Sequence, residues 1–150
     1  MIQKLSALFA IALAIPLLLL TAPAASAEDD VANYAIANVL ERADFATEFE
    51  GFHFYFGDTR RPASRVVESN VRTSLRTRKF GRSNEEACQW VMLSALIQLR
   101  DHARSVGGNA VANIRSNWQN QEFSSRSEYQ CAAGFLMAGV ALKGDVIAIR

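Results

Sequence analysis

SNEEACQWVMLSALIQLRDHARSVGGNAVANI, residues 83–114, decides the fold. Ser83 is placed as an N-cap whose hydroxyl can accept a first-turn N–H, and Glu86 three residues on can reach back to complete a capping box. Cys88, Met92, Ala95, Leu99, Ala103 and Val106 then recur at spacings of three or four, which is one stripe of an α-helix. Gly107 follows where a left-handed C-terminal residue is wanted. Ser94, Gln98, Asp101 and Ser105 gather on the opposite side. Trp90, Leu93 and Ile97 make a second apolar stripe between the two faces, so the helix must be covered on two sides, by another segment of this chain or by a second subunit. Gly107-Gly108-Asn109 turns the chain into a strand. There Ala110, Ala112, Ile114, Ser116 and Trp118 alternate with Val111, Asn113, Arg115 and Asn117. The small residues mark the side on which a helix packs closely.

Upstream of the helix, Glu28–Asn33 is acidic and reads as a frayed end. Tyr34–Ile36 reads as a short strand and Asn38–Ala43 as a helical turn. Phe52-His53-Phe54-Tyr55-Phe56, set between Gly51 and Gly57, reads as a strand with Phe52, Phe54 and Phe56 toward the core. Residues 60–82 hold Arg60, Arg61, Arg65, Arg72, Arg76, Arg78, Lys79 and Arg82 against the single acid Glu68. Such local density can bind anions, including lipid headgroups, phosphates or an acidic protein. The simpler expectation is a solvated loop balanced by the acidic N-terminus and Glu85-Glu86, with Val66–Thr73 as a strand or short helix. Phe80 is the lone aromatic interleaved with these charges, so base stacking has little to work with and no nucleic acid is expected. Downstream, Glu128–Leu142 reads as a strand with a glycine kink, Lys143-Gly144-Asp145 as a turn, and Val146–Ile149 as a terminal edge strand.

The first residues carry an address. Lys4, the apolar run Leu5–Leu20 and the small-x-small exit Ala25-Ser26-Ala27 make a secretory signal peptide cleaved after Ala27. An uncleaved anchor is the alternative reading, weakened by Pro16 within the run. No later apolar run approaches the ~18 residues needed to cross a bilayer, so no transmembrane span is expected after cleavage. Residues 28–150 make one α+β domain, and the product is expected in the periplasm or secreted. The chain holds 16 Lys+Arg against 15 Asp+Glu, and Lys4 lies in the leader, so the remainder is balanced and bulk charge does not argue for nucleic acid.

Two cysteines remain, Cys88 on the core stripe of the helix and Cys131 on a strand. In an oxidising compartment an even count reads as a bridge, here tying helix to sheet. Closing a loop of this length is worth about 4 kcal/mol in the chain-entropy account. Zinc has too few ligands, because neither histidine stands at finger-like spacing from a cysteine.

FYFGD at Phe54–Asp58, EEAC at Glu85–Cys88, LSALIQL at Leu93–Leu99, GGNAVANI at Gly107–Ile114 and EYQCAAGFLMAGVALKGD at Glu128–Asp145 resemble a family of small exported bacterial proteins of uncharacterised function. The helix–strand–returning-strand unit is similar to YbjQ-like domains, named for heavy-metal binding, and to the RcsF envelope-stress lipoproteins. The resemblance implies a helix packed on a small, mostly antiparallel sheet and, for YbjQ-like proteins, ring oligomers. This chain departs from RcsF-type proteins in having two cysteines and no lipid-attachment cysteine, and from YbjQ-like chains in having the cysteine pair and a leader. Members of the first family often carry the name "excinuclease ATPase subunit". The residues do not support it. There is no phosphate-cradling G-x-x-x-x-G-K-[ST], and Gly107-Gly108-Asn109 ends a helix where an anion cradle opens one.

For catalysis the candidates are His53, His102, Asp58, Asp101 and the serines, and they form no recognisable signature. Asp101 and His102 point about 100° apart on a helix. Asp58 with Arg60 reads as a local ion pair at a turn. The expectation is a non-enzymatic exported domain without cofactor or metal, acting as an envelope-associated binding or stress-related module with an anionic envelope component as possible partner. Two alternatives stand beside it. One is a structural homo-oligomer using Trp90, Leu93 and Ile97. The other is an anion- or metal-binding protein.

Overall fold

A long helix lies on one face of a curled, mostly antiparallel seven-stranded sheet, and a disulfide joins the two. This computed structural model describes residues 29–150; the leader expected over Met1–Ala27 lies outside them. In chain order the elements are β1 (Asp30–Ala35), α1 (Ala37–Leu40), a 3₁₀ turn (Ala46–Phe49), β2 (His53–Phe56), β3 (Ser64–Arg78), α2 (Asn84–Ser105), β4 (Ala110–Trp118), β5 (Gln121–Phe123), β6 (Glu128–Ala133) and β7 (Met137–Ile149).

The helix forms as its caps dictate. The Ser83 hydroxyl accepts the Glu86 N–H at 3.1 Å, while the Glu86 carboxylate turns instead toward Arg82, 4.0 Å away. Gly107 takes φ +84°, and the Gly108 N–H bonds the Ala103 carbonyl at 2.7 Å, closing the last turn. The core stripe is buried from Cys88 to Ala103, but Val106 lies 38% exposed past the last turn. The second stripe is covered from within the chain. Leu93 is buried, and the Phe45 ring packs edge-on to Trp90 at 4.8 Å between centroids. Phe49, Phe52 and Phe54 extend this aromatic lid, with centroids 5.0–5.1 Å apart. Cys88 on α2 and Cys131 on β6 are bonded across 43 positions of sequence, as the compartment argument expects.

β7 is the axis of the sheet. β3 runs antiparallel along one edge of it from Ser64↔Ile149 to Arg78↔Met137, and β4 and β6 share its other edge. β2 joins β4 in parallel, and β1 pairs β6. Several expectations are corrected here. Asp30–Asn33 is not frayed but paired, because β6 offers it a full register. Glu128–Leu142 is not one strand: it breaks at Gly134, whose N–H closes a turn onto the Met137 carbonyl. Lys143-Gly144-Asp145 is not a turn but the middle of β7, and Val146–Ile149 is interior to the sheet.

The reason lies in two irregularities that flank those residues. β3 departs from register between Glu68 and Val71, and β4 between Ala112 and Arg115. Each contains an asparagine in the left-handed region, Asn70 at φ 59° and Asn113 at φ 52°. The Asp145 carboxylate accepts the Asn70 N–H at 2.9 Å and the Asn113 side-chain amide at 3.2 Å, serving both bulges at once. Gly144 is needed between them, since a Cβ there would sit 2.9 Å from Val111 and 3.2 Å from the Ala112 carbonyl. The bulge in β4 also reverses its faces. Val111 and Ile114 join the core beneath α2, while Ala110 and Ala112 pack with Ile147, Tyr55 and Ile149. The small-residue side of β4 is therefore not the helix side.

Candidate functional site

Most of the basic segment 60–82, expected as a solvated loop with Val66–Thr73 as a strand or short helix, is the fifteen-residue strand β3, and that decides how its charges are displayed. Val71, Thr73 and Leu75 alternate toward α2 and its core, so Arg72, Ser74, Arg76 and Arg78 share the other face. Among the described residues β3 pairs only with β7 and lies at the sheet border, where charged side chains are expected to blunt an unpaired edge. Arg72 to Arg78 spans about 20 Å along the strand.

Against this file lies Trp118, the last residue of β4. A two-residue turn, Gln119 and Asn120 with φ 50° and 61°, folds β5 back on β4 and holds the indole in place. Trp118 packs on Ala132 and Ala141 and lies across Gly139, where a Cβ would come within 2.6 Å of the ring. The Arg76 guanidinium sits 5.1 Å above the indole, within cation–π range. The Trp118 Nε1–H is buried and has no partner among the described residues. Arg72 donates to the Asn120 side-chain oxygen at 3.2 Å. Together Arg72, Ser74, Arg76, Trp118, Asn120 and Ala141 line an open groove of about 440 Å³. Among the described residues one carboxylate is paired with these arginines, Asp29 at 3.8 Å from Arg76.

Next to the groove, Glu122 of β5 bridges Lys143 of β7 at 2.5 Å and Arg115 of β4 at 2.8 Å. Hydrogen bonds from Lys143 and then Arg115 hold its carboxyl down to about 2, against an ordinary value of 4.5. A carboxyl lowered on folding stabilises the fold fully above pH 4.5 and loses that contribution as pH falls toward 2. The difference in melting temperature between the wild type and Glu122→Gln is therefore expected to be constant above pH 4.5 and to vanish near pH 2. A difference that does not change over that window would show that the bridge is absent in solution.

No family model, no curated protein and no solved structure matches this chain.

The residues themselves must therefore say what the face can do, and the structure divides the eight basic candidates. Arg72, Arg76 and Arg78 share one face of β3. Lys79 adjoins them, but its ammonium donates to the Gly134 carbonyl at 2.9 Å. Arg82 stacks over Trp90 at 5.5 Å and faces Glu86. Arg65 lies beyond both irregularities of β3, and Arg60 and Arg61 precede the strand, with Arg61 donating to the Ser64 hydroxyl at 2.6 Å. Sequence reading did not single out Trp118, Asn120, Phe135 or Leu136. The alternation of arginine with Val71, Thr73 and Leu75 was the available signal for the face.

The titratable candidates are dispersed. His53 is exposed on β2, and Asp101 bonds Arg100. His102 bonds the Glu68 carboxylate at 2.8 Å across α2 and β3. Asp58 pairs not with Arg60 but with Arg126, which grips both carboxylate oxygens at 2.6 and 2.8 Å and lowers the acid's pKa. The two loops meet in space, which sequence proximity could not reveal. Among the described residues no group of three or more His, Cys, Asp or Glu is arranged to hold a metal ion, and no helix is long and apolar enough to cross a membrane.

Proposed function

We propose that this protein is an exported, non-enzymatic binding module of the cell envelope, and that the Arg72–Arg76–Arg78 face of β3 binds an extended anionic component there. The observation that carries the reading is three arginines in file on one strand face, two of them lining a groove floored by Trp118, with a single carboxylate paired to them among the described residues. Two guanidiniums four positions apart reach different points about 13 Å apart, which suits a chain or array of phosphates or carboxylates better than one small anion. The leader, the disulfide and the resemblance to exported envelope proteins support the location.

The homo-oligomer reading is weaker, because Phe45 already covers Trp90 and Leu93 is buried within its own chain. The metal-binding reading has no ligand cluster among the described residues.

Tryptophan fluorescence titrated with heparin, a soluble polyanion, tests the proposal. Arg76 lies over Trp118, so occupancy of the groove is expected to change the emission. Binding at low salt should weaken steeply as salt is raised. Arg72→Glu/Arg76→Glu should reduce affinity by about tenfold or more, at about 1 kcal/mol or more per reversed charge near an anionic partner. Unchanged affinity in that variant would remove the face from the account.

A further inference from the structure

The arginine file ends at an apolar tip. β3 runs into the loop Lys79–Arg82, and the β6–β7 turn runs through Gly134, Phe135 and Leu136. The two loops are pinned together: the Lys79 N–H bonds the Leu136 carbonyl at 2.9 Å, and the Lys79 ammonium bonds that of Gly134. Phe80 is 96% exposed, Phe135 92% and Leu136 68%. Three large apolar side chains thus project from two adjoining loop ends of one rigid sheet, collared by Arg78, Lys79 and Arg82. Among the described residues the one carboxylate paired within that collar is Glu86, 4.0 Å from Arg82.

We infer that this tip is a membrane-docking element: Phe80, Phe135 and Leu136 enter the interfacial region of an anionic bilayer while Arg78, Lys79 and Arg82 engage its headgroups. The inference rests on the anion-binding reading above and names the partner. Two features select a bilayer. Aromatic rings surrounded by cations match the layered chemistry of a lipid surface, apolar below and anionic at the headgroups. At 68–96% exposure Phe80, Phe135 and Leu136 stand clear of the domain's own core, as entry into an interfacial layer requires. Arg72 and Arg76, on the same strand face, would continue the contact along the headgroups.

Flotation of the protein with phosphatidylglycerol-containing vesicles and with pure phosphatidylcholine vesicles tests this, with heparin binding measured in parallel. The wild type should float with the anionic vesicles and not with the neutral ones. Phe80→Gln/Phe135→Gln should lower partitioning about tenfold, since each ring contributes apolar transfer energy, while melting temperature and heparin affinity stay unchanged. Arg78→Glu/Lys79→Glu should abolish flotation. Equal flotation of the Gln variant would overturn insertion. A wild type that binds heparin but no vesicles would overturn the tip and leave the anion face standing; one that binds neither would overturn both. Self-association in light scattering, lost in the Gln variant and unaccompanied by flotation, would give the tip to a second copy of the chain and overturn the inference.

Discussion

Cys88→Ala/Cys131→Ala is expected to cost about 4 kcal/mol of stability. The bond ties α2 to β6 across 43 positions, and without it the denatured chain regains the freedom that the loop denies it. β6 itself is held lightly. It pairs with β7 through Ala132↔Gly139 and Ala133↔Ala138 only, and its other edge carries β1. The bridge therefore anchors the flap formed by β1 and β6 to the helix. For a domain of this size the loss corresponds to a fall in melting temperature of about 10–20 °C. Thiol reduction of the wild type should reproduce it. A fall of only a degree or two would mean that packing, and not sulfur, holds helix to sheet.

Phe45→Ala is expected to cost about 3–5 kcal/mol, the range for deleting a buried phenyl ring. Phe45 is 1% exposed, lies edge-on to Trp90, and carries the Arg42 guanidinium 4.3 Å above its own ring. Truncation opens the lid over the second apolar stripe of α2. Trp90 emission should shift to the red, and the variant should associate in a concentration-dependent way while the wild type does not. Denaturant unfolding and light scattering read the two effects. If the wild type self-associates and the variant loses no stability, Trp90, Leu93 and Ile97 meet a second subunit instead.

What could be read from the residues depended on whether the signal was local. α2 was legible because its cap, its stripe and its terminal glycine all lie on one continuous segment. The disulfide was legible from a count of two in a chain whose first residues read as an export signal. Lys143-Gly144-Asp145 was misread because glycine and aspartate usually mark a turn. Here they serve bulges centred on Asn70 and Asn113, which are 75 and 32 positions away from Asp145. The same bulge in β4 shifts the phase of alternation, so Ala110 and Ala112 could not be assigned to a face by counting. β3 was obscured by its border position, where only one face needs apolar residues and the other reads as a run of charge. Phe135 and Leu136 were hidden inside an apolar run whose length suggested a buried strand; only the turn at Gly134 brings them out, beside Phe80 from a segment far away in sequence.

The functional account stands on the tip and the arginine face acting on one anionic surface. Backbone hydrogen exchange of the intact domain, with and without phosphatidylglycerol vesicles, locates that contact directly. Slowing confined to residues 72–82 and 134–137, absent with phosphatidylcholine, is the result the account predicts. Slowing centred on the exposed side of α2, or no slowing anywhere on these segments, would contradict it.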